Sequence, residues 1–398
     1  MNLKRFFLKA GDAKLSDYLA VFPMLVGLLL SPFYRNKYRN TWGICERRDE
    51  ARDNAYHFYK FIATEHPEQK CIYAIDKKCN DYMKVCDLGE TVQFGSLKHW
   101  ILYFTCKYLI SSQAFMPNGY VCTFIERARL FRPGHVFLQH GITKDMAEFL
   151  LASHRTVKYF IAGAKPEYEF MKENFGYPHG TMKYTGFARF DMLHGYHIIK
   201  NRIIIMPTWR KWLKLKSEAH DDAKTEIETS EYLLEWKNLL KSKKLENLAI
   251  QYNLEIIFYP HPNMRGILNP ENIVGSNVKI ANILHDDLQE LLKTAQLLIT
   301  DYSSVFFDVA YMKKPIIFYQ FDEKKYRNYH YQQGWYDYHN TSLGKSCKNA
   351  DEVLINLEEI IQNGYKVTKD YLVEHKKIFP LYDTDNCKRI YEVMIGNK

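Results

Sequence analysis

The sequence predicts an α/β protein with two doubly wound halves, and three observations carry that expectation. Short apolar runs alternate with stretches of helical period from about residue 40 onward. The alternation restarts near residue 200. Polar residues able to do chemistry stand directly after the apolar runs, where an open parallel sheet presents its ligand-binding edge. A length of 398 residues suits two domains, and 46% hydrophobic with 25% charged residues excludes a disordered chain. The net charge of +9 suits an anionic partner without choosing among phosphate substrates, acidic lipid and nucleic acid.

The first element is unusual. Lys4, Arg5, Lys9 and Lys14 precede an uncharged run from Tyr18 to Tyr34, after which come Arg35, Lys37 and Arg39. The run contains Pro23 and Pro32 and falls short of the ~20 residues a spanning helix needs. No small-residue cleavage site follows it, which argues against a signal peptide. Residues 1–40 are therefore expected to associate with a membrane surface, with a helix buried on the first domain and a true span as the alternatives.

A first domain is expected over 41–198. Ala51 to Thr64 reads as a helix with Ala55, Phe58, Tyr59 and Ile62 on one face. Residues 71–75, 108–112, 136–139 and 159–162 read as strands, with a helix ending near 100–104, another at 167–174, and 183–186 closing the unit. A second domain is expected over 199–398. Its strands are 202–206, 254–259, 297–300 and 315–319, with helices at 231–251, 288–294 and 305–312, a charged mobile loop at 213–229, and helical tails near 350–362 and 384–396. Eight scattered cysteines without a CxxC pair read as free thiols of a reducing compartment.

The candidate site follows from the strand ends. His140, Thr208, Arg210, His261, Asp301, Ser303 and Ser304 each stand at or just past one, so two facing sheets would gather them around a cleft. Ser303 and Ser304 precede a helix start, where free N–H groups favour phosphate; a simple helix cap is the plainer alternative. Asp308 lies one turn further in and could reach a hydroxyl. His261 sits between two prolines, a stiff setting for a phosphate contact or for acid–base work. Gly141 beside His140 permits close approach by a ligand. Arg210 offers a planar five-donor cation suited to a diphosphate. No carboxylate cluster resembles a magnesium cage, so no metal ligand is expected.

Together Trp42-Gly-Ile-Cys-Glu46, Ala51-Arg-Asp-Asn-Ala55, His140-Gly-Ile-Thr-Lys144, Thr185-Gly-Phe-Ala-Arg-Phe-Asp191, Pro207-Thr-Trp-Arg210, Pro260-His-Pro262 and Thr300-Asp-Tyr-Ser-Ser-Val-Phe-Phe-Asp308 resemble the CDP-glycerol glycerophosphotransferase family of teichoic-acid and capsule synthesis. The resemblance implies a GT-B-type fold of two Rossmann-like domains facing across a cleft, bound peripherally to the cytoplasmic face of the membrane. It implies transfer of glycerol phosphate from CDP-glycerol to a hydroxyl of a lipid-linked acceptor, with release of CMP. The alternatives are CDP-ribitol as donor, or a GT-B glycosyltransferase using a nucleotide sugar. It further implies His140 as the acceptor-side acid–base residue, with Gly141 and Thr143 beside it, and His261 as the donor-phosphate histidine. Thr208, Arg210, Asp301, Ser303, Ser304 and Asp308 would bind the donor. No tightly bound cofactor and no nucleic-acid partner are implied, and a Mg2+ dependence is left open.

Overall fold

The computed structural model describes residues 15–113, 117–127, 134–214, 227–264, 269–283 and 285–396. In chain order its first half comprises α1 (Leu15–Tyr38), β1 (Trp42–Cys45), α2 (Asn54–Glu65), β2 (Cys71–Ile75), α3 (Tyr82–Cys86), β3 (Thr91–Gln93), α4 (Leu97–Thr105), β4 (Tyr108–Ser111), α5 (Gly119–Arg127), β5 (Gly134–Phe137), β6 (Asp145–Met146), β7 (Tyr159–Ala162), α6 (Lys165–Asn174) and β8 (Met182–Tyr184). The second half comprises β9 (Arg202–Met206), α7 (Glu231–Leu240), α8 (Lys243–Gln251), β10 (Glu255–Phe258), β11 (Val278–Ile280), α9 (Leu288–Thr294), β12 (Leu297–Thr300), α10 (Phe306–Tyr311), β13 (Ile316–Tyr319), α11 (Glu323–Tyr329), β14 (Gln332–Gln333), β15 (Gly344–Cys347), α12 (Ala350–Gln362), α13 (Lys369–Ile378) and α14 (Asn386–Ile395).

Two parallel sheets result. Their orders are β3-β2-β1-β4-β5-β7-β8 and β11-β10-β9-β12-β13-β15. Each reverses direction beside its first strand, so each has a switch point where loops diverge and ligands can enter. The strands read as nearly continuous apolar runs because helices cover both faces. Ile203, Ile204 and Ile205 of β9 are all buried, for example; Ile203 and Ile205 face a core within the second half and Ile204 a core continuous with the first half.

Several expected boundaries shift for local reasons. The helix expected over 51–64 begins at Asn54, because Asp53 has extended backbone and its carboxylate accepts the Asn54 N–H. The single helix expected over 231–251 is two: Ser242 interrupts it and caps α8, its hydroxyl accepting the Leu245 N–H at 3.1 Å. Most of the loop expected at 213–229 lies outside the described residues, but Leu213 and Ile227 at its two ends are buried.

The run from Tyr18 to Tyr34 lies within α1, which packs along α4. A Cβ at Gly27 would sit 2.8 Å from Trp100 Cβ, so this glycine permits the close approach. Met24 and Tyr38 are buried on that side, while Leu15, Leu19, Phe22, Leu29 and Phe33 stand exposed. Lys4, Arg5, Lys9 and Lys14 lie outside the described residues.

Contacts cross the junction near residue 198. Helix α14 crosses back to the first half, where Tyr391 stacks on His66 with ring centroids 3.8 Å apart and the Met394 carbonyl accepts from the Tyr108 hydroxyl at 3.0 Å. Asn386 N–H donates to Asp191 at 2.9 Å, in the segment that joins the two sheets. The last helix thus ties the halves together.

Candidate active site

A cavity of about 610 Å³ lies between the carboxyl ends of the two sheets. His140, Gly141, Thr143, Thr208, His261, Ser303, Ser304 and Asp308 line it, drawn from sequence positions as far apart as 140 and 308.

The first-half wall is a rigid loop after β5. Gln139 adopts a left-handed backbone with φ 60°, which a residue with a side chain holds only when its surroundings impose it. Its amide donates to the Ile161 carbonyl at 2.7 Å, and its own carbonyl accepts from Asn54 Nδ2 at 2.8 Å. Buried Glu167 accepts N–H bonds from Thr143, Gly163 and Ala164. Burial nonetheless pushes its carboxyl up to about 7. This framework turns His140 toward the cavity. His140 is exposed at the cavity, yet the surrounding protein first, and then the charges of Arg47 and Arg189, lower its pKa to about 4, so the ring is neutral at physiological pH.

The second-half wall offers mainly uncharged donors. Thr208 N–H donates to Asp301 at 2.8 Å, which fixes the turn after β9. Thr208 and Tyr302 both line the cavity, and among the described residues the buried Tyr302 hydroxyl has no hydrogen-bond partner. Ser303 Oγ accepts the Val305 N–H at 3.4 Å, and α10 begins immediately after. His261 Nδ1 accepts the Asn263 N–H at 3.1 Å, which leaves Nε2 to carry the ring proton. Burial, followed by Arg47 and His140, lowers this imidazole to about 3.

The two walls touch. A Cβ on Gly141 would lie 2.6 Å from Ser304 Oγ, so glycine at 141 is what lets the His140 loop approach the serine turn.

Four expected ligand contacts find their side chains engaged within the protein. Arg210 is fully buried behind the wall: Nε and NH2 donate to Asp322 at 2.7 and 2.9 Å, and NH1 lies 2.9 Å from Asp301. Neither Arg210 nor Asp301 lines the cavity, so they hold the Thr208 turn and the serine turn together rather than facing a diphosphate. Asp308 does line the cavity, but both its oxygens accept from Arg189, at 3.0 and 2.8 Å. Arg189 also donates to Asp53 at 3.1 Å and so clamps the halves. Thr143 is likewise engaged: its hydroxyl donates to Gln139 at 2.6 Å and its carbonyl accepts from Trp335 Nε1 at 2.9 Å.

Sequence reasoning missed two parts of the site. The loop after β1 brings Arg47, Glu50, Arg52 and Asp53 to the cavity. The signal was available, since Trp42–Cys45 is an apolar run ending in a charged cluster. The second part is a cross-half ribbon in which β6 pairs antiparallel with β14, joining Met146 to Gln332 and Asp145 to Gln333. Asp145 pairs with Lys144 and accepts from Arg327 at 2.6 Å. Two-residue strands carry no periodic signal. Among the described residues, no group of three His, Cys, Asp or Glu side chains could hold a metal ion.

Comparison with known proteins agrees with this geometry. A family model described as CDP-glycerol:poly(glycerophosphate) glycerophosphotransferase matches residues 33–396. The minor teichoic acid biosynthesis protein GgaB of Bacillus subtilis is 30% identical over 365 residues, covering 89% of this chain but 39% of that protein. The chain therefore spans well under half of that relative's length. A teichoic acid poly(glycerol phosphate) polymerase of Bacillus spizizenii is 25% identical, covering 83% of this chain and 84% of that one. The solved structure of the wall teichoic acid polymerase TagF superposes with a TM-score of 0.63 at 15% identity, covering 97% of this chain and 98% of the other.

Proposed function

The chain belongs to the CDP-glycerol:poly(glycerophosphate) glycerophosphotransferase family, and from that premise we propose that it transfers glycerol phosphate from CDP-glycerol to a hydroxyl of a membrane-linked acceptor, releasing CMP, in teichoic-acid or capsule-type polymer synthesis. The observation that carries the reading is the pairing of two neutral histidines, His140 and His261, on opposite walls of one cavity, with the Gly141–Ser304 contact closing the walls together.

In this reading the architecture is GT-B-type, and the donor lies against the second-half wall. Its diphosphate takes the hydroxyls of Thr208, Ser303 and Ser304 and the Nε2–H of His261. His140 accepts the proton of the attacking hydroxyl as that oxygen bonds to the glycerol-bearing phosphorus, and the bond to the CMP oxygen breaks. An imidazole near 4 is a weak base. A bound diphosphate opposes the influence of Arg47 and Arg189 on it and moves it toward the range a base needs. Positioning and charge stabilisation supply the remainder.

Peripheral attachment to the cytoplasmic face fits α1. The exposed stripe of Leu15, Leu19, Phe22, Leu29 and Phe33 can lie in the acyl boundary while the opposite face stays on α4, with Arg35, Lys37 and Arg39 at the headgroups.

The test is nucleotide release from a panel of CDP-glycerol, CDP-ribitol and nucleotide sugars, with membranes supplying the acceptor. CMP release with glycerol phosphate in the product supports the reading. CMP release from CDP-ribitol alone would reassign the alditol, as relatives that are ribitol-phosphate polymerases allow. Transfer of a sugar would overturn it.

A further inference from the structure

We propose that Arg47 is the guanidinium that binds the phosphate being transferred, supplied by the first half to a donor held by the second; the inference rests on the phosphotransfer reading above.

Topology comes first. β1 lies between β2 and β4 as β9 lies between β10 and β12, so the loop after β1 is the counterpart of the loop that carries Thr208. Both loops open at the switch point of their sheet, where ligands enter. Arg47 is the second residue after β1, and it lines the cavity.

Charge accounting comes second. Four Arg and Lys side chains line the cavity among the described residues: Arg47, Arg52, Lys144 and Arg189. Three are taken up. Arg52 donates to both oxygens of Asp81, at 2.6 and 3.2 Å, and to the Asp286 carbonyl at 3.1 Å. Lys144 pairs with Asp145, and Arg189 with Asp308 and Asp53. Arg47 has a single 3.5 Å contact with Glu50, in which the two side chains are 40% and 42% exposed. An exposed contact of that length is weak and leaves the planar fork able to take a phosphate.

Position comes third. Arg47 is the foremost charge acting on both His140 and His261, so it stands within electrostatic reach of the attacking side and the donor side alike. The second-half wall presents hydroxyls and an imidazole, while its own Arg210 is paired behind the wall. Among the described residues that line the cavity, the cations available to a diphosphate come from across the cleft. Because Arg47 belongs to the half that carries His140, it meets the phosphate distal to the nucleoside. A donor seated on one half is then charge-neutralised by the other.

Calorimetric titration of the full chain with CDP-glycerol and with CMP tests this in wild type, Arg47→Ala and Arg47→Lys. CDP-glycerol affinity is expected to fall about 10- to 100-fold in Arg47→Ala, the loss of one charge-assisted contact, with Arg47→Lys between the two. CMP affinity should be unchanged, because CMP lacks the distal phosphate. Since a folding defect would weaken both ligands, the CMP titration also reports on integrity. Glu50→Gln removes the competing carboxylate and should tighten CDP-glycerol or leave it unaltered. Unaltered CDP-glycerol affinity in Arg47→Ala, or equal loss for CDP-glycerol and CMP, overturns the inference alone. Failure of the wild type to bind any CDP-alditol overturns the phosphotransfer reading with it.

Discussion

The two walls of the cleft are built on sheets of the same strand order around the switch point, yet they handle charge in opposite ways. The second half buries its arginine: Arg210 is locked between Asp301 and Asp322 and ringed by Tyr232, Tyr302 and Tyr326, with centroids 4.8, 5.2 and 5.3 Å away. What it shows the cavity includes hydroxyls, His261 and the carboxylates of Asp287 and Asp308, and no Arg or Lys among the described lining residues. The first half leaves Arg47 at the cavity surface and buries carboxylates such as Glu46, which holds the Arg52, Asp53 and Tyr56 N–H groups. Burial and the adjacent Asp53 carboxylate push Glu46 well up. One wall is thus a cradle without a free cation, stiffened from behind, and the other carries Arg47 and, in the reading proposed above, the base. Neither is complete alone.

The comparison breaks if Arg210 acts on the ligand directly. Arg210→Ala should instead destabilise the fold by about 3–5 kcal/mol, because it leaves Asp301 and Asp322 buried without a counter-charge. Thermal unfolding measures the loss, and a stable variant with selectively weakened donor affinity would refute the structural role. Asp308→Asn comes next, at about 2–3 kcal/mol, smaller because Arg189 keeps its bond to Asp53. Its unfolding should become less cooperative as the clamp between the halves weakens, and a single unshifted transition would count against that clamp.

Gly141→Ala should cost on the order of tenfold in turnover with little loss of stability, since the added methyl meets Ser304 Oγ at 2.6 Å. Combining it with Ser304→Ala should recover part of the rate, because the serine Cβ stands at a tolerable 3.6 Å. Strict additivity of the two substitutions would show that the walls do not meet there.

A further effect is pH-dependent. Burial lowers His99 and His261 to about 3, below the ~6.5 of an unfolded histidine, so the unfolded chain binds more protons between those values. Their contribution is complete above about pH 6.5 and is lost as pH falls toward 3. The thermal midpoint should decline through that window, and His261→Gln should shallow the slope without abolishing it, since His99 lies in the other half. A midpoint independent of pH from 6.5 to 4 would contradict this.

Much of this was legible in the sequence, for a physical reason. Strands buried on both faces are apolar runs, and a parallel sheet places function at their carboxyl ends, so His140, His261 and Ser303 could be found by position alone. What stayed illegible was pairing across distance. Nothing near Arg210 signals that Asp322, in another loop, occupies its fork, nor that Arg189 and Asp308 find each other between the halves. α14 likewise reads as a C-terminal appendage until Tyr391 is seen stacked on His66. Arg47 is the converse case. Its place after an apolar run was readable, but a charged residue in a charged cluster stands out only once its neighbours' partners are known.

The most direct test of the central claim, a donor-binding wall facing a wall that carries the base, is donor titration of two variants alongside turnover. His140→Ala should lose about 10²–10⁴ in rate and keep its CDP-glycerol affinity. His261→Ala should lose both, with affinity down about tenfold or more for a charge-assisted phosphate contact. Equal loss of donor affinity in the two variants, or retained turnover in His140→Ala, would contradict the account.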